Sequence, residues 1–177
     1  MYQANVYKIM IGAPSDIQYE IQIACQVINK WNNINSESTQ LILLPLHWSI
    51  SSYPTSGLHP QKIINHQLIE KSDSMICFFG TRLGTATDTD ISGSVEEINE
   101  HIRAGKHVMV FFRNQIDAHE LDIEQFRKLE EYKHTIQDKV LWVDYNNEQD
   151  LESMLFDKLC LFVNDNWQGY KLPQDLS

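Results

Sequence analysis

The chain has 177 residues, 42% of them hydrophobic, which suits one domain with a sizeable core. Its formal net charge of -10 and pI of about 5.0 repel phosphate polymers, and its 14 Lys and Arg form no basic patch, so nucleic acid is excluded as a main partner. No apolar run approaches the roughly 18 residues of a membrane span, and "MYQANVYKIMIGAPSD" lacks the regions of a signal peptide, so a soluble, cytoplasmic protein is expected.

In chain order, "VYKIMIGA" (6–13) reads as a strand. The next segment places Ile17, Ile21, Ala24, Cys25, Ile28 and Trp31 at helical spacing, with Ser15 or Asp16 as N-cap. "LILLPLHW" (41–48) is a strand whose Pro45 assigns it to a sheet edge. A Ser/Pro/Gly-rich loop (49–59) precedes a helix opening with Pro60. "MICFFG" (75–80) is a nearly continuous apolar strand, the pattern of a buried sheet centre. The loop "TRLGTATDTDI" leads to a helix from about Ser94, then the strand "HVMVFF" and an acidic helix around 121–133. The strand "KVLWVD" and a helix around 151–164 close the domain, taken as 1–166 with a tail at 167–177. Five strands alternating with five helices predict an α/β fold, flavodoxin-like, with three αβα layers around a mostly parallel sheet. Ligands of such folds sit beyond the carboxyl ends of the strands, where the strand order reverses. The loops "GAPSD", "WSISSYPTSG", "GTRLGTATDTDISG" and "FFRNQID" therefore hold the candidate site.

Two adjacent carboxylates, Glu96 and Glu97, open the helix after the central strand. Ser94-x-x-Glu97 fits a capping box, with Ser94 as N-cap and Glu97 reaching back to it. Helical geometry puts Val95, Ile98 and Ile102 on the buried stripe, with the two glutamates flanking it at similar angles. A catalytic glutamate and a structural one are both compatible with that pattern. Ala13, Pro14, Ser15 and Asp16 form the first strand-to-helix turn, whose free amides suit an anion; Ser15 and Asp16 are equally ordinary caps. Arg82, after Thr81 and before Gly84, is placed to clamp a phosphate or to stand in solvent. Trp48 is a base-stacking candidate or core, and Tyr53 a weaker one. The three cysteines lack CxxC spacing and the seven histidines lack HExxH or Cys/His spacing, so no metal site and no cofactor are expected. GxGxxG, Walker A and GxSxG sequences are also absent.

The run Gly93-Ser94-Val95-Glu96-Glu97-Ile98, followed by Ala104-Gly105-Lys106-His107-Val108, resembles the signature of the nucleoside 2-deoxyribosyltransferase-like and TIR-like superfamily. "IGAPSDIQYE", "LLPLHW", "HPQKIIN" and "GTRLGTATD" are similar to further blocks of bacterial TIR-like domains, over residues 9–112 in all. Ser94 stands where that signature has Thr, and His107 where it has Pro. The resemblance implies that Glu97 is the catalytic residue and that NAD is cleaved as substrate at the nicotinamide–ribose bond. It also implies a Thoeris-type anti-phage role, a homo-oligomer and a downstream effector protein. Two alternatives stay open: cleavage or transfer of nucleosides or nucleotides, and a silent adaptor that binds a nucleotide or partner domain.

Overall fold

The computed structural model describes residues 1–47, 68–115 and 121–167. Within them the chain runs β1 (Asn5–Gly12), a 3-10 turn (Ser15–Ile17), α1 (Gln18–Thr39), β2 (Leu41–Leu46), β3 (Ser74–Phe79), α2 (Gly93–Arg103), β4 (His107–Arg113), α3 (Ile123–Ile136), β5 (Trp142–Tyr145) and α4 (Glu148–Asn166). The helix expected from Pro60 falls mostly outside the described residues; only its last residues, Leu68 and Ile69, are seen as helical.

The sheet order is β2-β1-β3-β4-β5 and every pairing is parallel, so "mostly parallel" becomes wholly parallel. This is the flavodoxin-like three-layer arrangement. β3 is central and all six of its residues are buried, because helices cover both faces. Alternation along the strands sorts the core in two. Ile9, Ile11, Ile76, Phe78 and Phe111 pack with α1 and α4. Met10, Met75, Cys77, Phe79 and Phe112 pack on the other face, with Val95 and Ile98 of α2 and Leu129 and Tyr132 of α3. Each fully buried aromatic or aliphatic side chain contributes about 1.5–3 kcal/mol.

β2 is an edge strand, which tolerates the missing amide of Pro45. The Asn32 amide of α1 closes part of that edge: its Nδ2 donates to Leu43 O at 2.7 Å, and its Oδ1 accepts from Leu43 N at 2.9 Å. β5 has four residues instead of six, and α4 begins three residues earlier than expected because Asn147, not a residue nearer Leu151, accepts from the Asp150 amide. Trp167, assigned to the tail, packs edge-on against Tyr7 at 4.6 Å between ring centroids. The remainder of that tail lies outside the described residues.

Candidate active site

The chain leaves β1 to build β2 on one side of it and β3 on the other, so the strand order reverses at β1. A cavity of about 590 Å³ opens there, beyond the carboxyl ends of β1 and β3. Ala13, Pro14 and Ser15 line it from the first turn, Arg82 and Gly84 from the loop after β3, and Ser94 and Glu97 from α2. Seven of the ten residues singled out in the sequence thus meet around one space. Trp48 lies outside the described residues, as does Tyr53.

Asp16 and Thr81 are not among the residues that line the cavity. They face each other instead of this cavity: Asp16 Oδ2 accepts from the Thr81 amide at 2.9 Å and from its hydroxyl at 3.3 Å. The carboxylate satisfies the turn after β3, which ties the two ligand-side loops together. Neither Ser15 nor Asp16 caps α1. A 3-10 turn intervenes, and Ile17 holds the N-cap position with no side-chain hydrogen bond.

The capping box also gives way. The N-cap of α2 is Ser92, whose Oγ accepts from Val95 N at 3.2 Å. Ser94 is released to line the cavity, and Glu97 sits beyond the first turn, where the helix dipole has largely fallen off. Flanking positions on a surface helix are usually wet, yet Glu96 and Glu97 are only 8% and 9% exposed. Their partners separate them. Glu96 Oε1 accepts from Thr89 Oγ1 at 2.6 Å and holds down the loop before the helix. The Glu97 carboxylate points the other way, to β1: a β-carbon at Gly12 would stand 3.1 Å from its Oε2. Gly12 thus permits a close approach of carboxylate to backbone, a role the sequence did not signal. The charge of Glu97 also reaches Cys77; burial first, and this carboxylate second, push that thiol well above its ordinary pKa.

α2 is pinned from behind. His101, assigned to a helix flank, is fully buried; its Nδ1 lies 2.8 Å from Glu97 O and its Nε2 2.8 Å from Ser72 Oγ. Burial lowers its pKa, so the ring is neutral at pH 7. A carbonyl only accepts, so Nδ1–H donates to Glu97 O and Nε2 accepts from the serine hydroxyl. The Lys106 ammonium donates to the carbonyls of Ile69 and Ser72, closing the end of the preceding helix. These bonds fix the backbone from which Glu97 projects.

Residues 8–160 match the profile of a family described as a domain of unknown function, DUF4062. The chain belongs to the DUF4062 family. None of the curated proteins compared with it matches. Among solved structures it is similar to the translation elongation factor SelB from Methanococcus maripaludis in its apo form, with a TM-score of 0.52 and 8% identity. The match covers 98% of this chain and 38% of that one, so the chain spans well under half the length of its structural relative. At that identity the likeness concerns the fold alone.

The rest of this DUF4062 cavity mixes apolar residues, Met10, Ile11 and Leu68, with polar ones that were not picked out in the sequence. His47, at the end of β2, is buried and lines it; burial lowers its pKa and keeps it neutral at pH 7. Gln125 of α3 accepts from Gly84 N at 3.1 Å, and Gly84 has φ +105°, a backbone that L side chains rarely adopt. Arg82 stands exposed at the wall, where its guanidinium is available to an anion. Among the described residues no group of three or more His, Cys, Asp or Glu is placed to hold a metal. The same residues include no helix long and apolar enough to cross a membrane. The arrangement offers the buried Glu97 carboxylate, a second carboxylate at the wall in Asp122, which caps α3, neutral polar groups around them and a cation in Arg82.

Proposed function

We propose that this DUF4062 domain is a TIR-like enzyme that cleaves NAD at the nicotinamide–ribose bond. The observation that carries the reading is the Glu97 carboxylate, seated against Gly12 and lining a cavity at the point where the strand order reverses. A cavity of about 590 Å³ falls within the range of small-molecule sites, roughly 300–1,000 Å³.

In this reaction the bond between ribose C1′ and the pyridinium nitrogen breaks, and its electron pair neutralises the leaving nicotinamide. Positive charge grows on the ribose, as in other glycosidic cleavages. Glu97, itself buried, supplies the opposing charge. Water then bonds to C1′ and loses a proton, giving ADP-ribose; capture by a hydroxyl of the same molecule gives a cyclic product. The leaving group departs neutral, so no general acid is required. Arg82 pairs with the diphosphate, and the neutral side chains of His47 and Gln18 serve as hydrogen-bonding walls. The resemblance stated above extends the proposal to NAD depletion or a nucleotide signal in anti-phage defence, with assembly of copies completing the site.

Release of nicotinamide from NAD, followed by chromatography, tests the reading. Glu97→Gln should release it about 10²–10³-fold more slowly, the effect of removing a preorganised electrostatic group. Equal rates would remove Glu97 from the chemistry. Absence of release by the wild-type protein at high concentration would remove NAD as substrate.

A further inference from the structure

A second cavity, of about 480 Å³, lies on the α1 and α4 side of the sheet, beyond the carboxyl ends of β4 and β5. The proposed NAD chemistry makes no use of it. Its wall holds a buried charged cluster. Tyr145 Oη donates to Glu20 Oε1 at 2.9 Å, and Arg113 NH1 lies 3.4 Å from the same oxygen. Glu20 is 5% exposed and Tyr145 1%.

The hydrogen bonds of this cluster do not close. Among the described residues, Glu20 Oε2, Asp16 Oδ1 and Arg113 Nε are buried without a partner. Buried polar atoms are nearly always paired, and each one left open carries a desolvation penalty that a polar partner would relieve. The vacancies are of two kinds, two carboxylate oxygens that accept and one guanidinium N–H that donates. Glu148 and Gln149, the first residues of α4, also line the cavity. Asn147 Oδ1 takes the Asp150 amide, and first-turn amides such as those of Glu148 and Gln149 have no intrahelical acceptor.

A simple ammonium ion would satisfy the two oxygens and leave the guanidinium open. A simple anion would meet Asp16, Glu20 and Glu148. One molecule carrying an ammonium and a carboxylate answers every vacancy, and Ile17, Ile23 and Leu151 offer an apolar wall for its remaining part. We propose that this cavity binds a free α-amino acid, its ammonium between Asp16 and Glu20 and its carboxylate against Arg113 and the first turn of α4. Asp16 also bonds Thr81, the neighbour of Arg82 at the wall of the first cavity.

Calorimetric titration of the full chain with the common amino acids, leucine first, tests this. For leucine the half-ligands are 3-methylbutylamine and 4-methylvalerate. At least one amino acid should bind with Kd at or below about 1 mM, and its decarboxylated and deaminated analogues should bind at least about tenfold more weakly. Glu20→Gln and Arg113→Met should each weaken binding by about tenfold or more. If either variant fails to fold, the half-ligand comparison on the wild-type protein still decides. No binding of any amino acid at about 10 mM would overturn the proposal. An amine that binds as tightly as its parent amino acid would also overturn it, leaving a site for cations alone.

Discussion

Gly12→Ala adds a single methyl group where β1 ends, and its consequences can be worked from three distances. The new carbon would stand 2.5 Å from Met75 Cε, 3.1 Å from Glu97 Oε2 and 3.7 Å from Cys77 Sγ. Alanine adopts this extended backbone without strain, so any effect comes from the neighbours. Met75 is fully buried, and although its tip is flexible, the packed core gives it little room to withdraw. Overpacking of this kind costs about 1–3 kcal/mol, read as a loss of stability in urea unfolding. The carboxylate must also give by a few tenths of an ångström or swing into the cavity. Misplacing a catalytic group by about 1 Å lowers a rate roughly 10²-fold, or about 2.7 kcal/mol of activation free energy. Nicotinamide release should therefore fall by about one to two orders of magnitude at unchanged ionic strength and pH. Adding Met75→Leu shortens the first clashing side chain; it should recover stability without recovering the rate, since the contact with Glu97 persists. A Gly12→Ala protein with wild-type turnover would refute the claim that the carboxylate works from its seat against β1.

Capping gives a clean pair of variants. Ser92→Ala should destabilise by about 1 kcal/mol, lowering Tm by about 2–4 °C, whereas Ser94→Ala should stay within about 0.5 kcal/mol of wild type in the same melts. The buried histidines set a pH dependence. His47 and His101 have folded pKa values below the unfolded 6.5, so the unfolded chain binds more protons once pH falls through that value. Their contribution is full above about pH 6.5 and is lost as pH drops towards the folded values; urea midpoints at about pH 7.5 and 5.5 should differ less in His101→Gln than in wild type. Tyr145→Phe removes the donor to Glu20 and should cost about 1–3 kcal/mol in chemical unfolding.

The sequence was informative wherever the signal is local. An unbroken apolar run announced that β3 has both faces covered, Pro45 announced an edge, and alternating periods announced an α/β sandwich. The resemblance on residues 93–108 then singled out Glu97 from its neighbour, which periodicity alone did not do, because both glutamates flank the buried stripe by similar angles. The tertiary structure settled what each of them touches: the loop above α2 delivers Thr89 to Glu96, while β1 delivers a side-chain-free backbone to Glu97. In the same way Ser94 was the expected cap, and Ser92, completely buried at the helix mouth, holds that position instead. Asp16 and Thr81 are 65 positions apart, and no pattern along the chain marks one as the other's partner. Periodicity is a property of neighbours along the backbone, so it specifies elements and faces. Which carboxylate meets which amide depends on how strands register side by side and where the loops fold back, and those contacts exist only once the sheet is assembled.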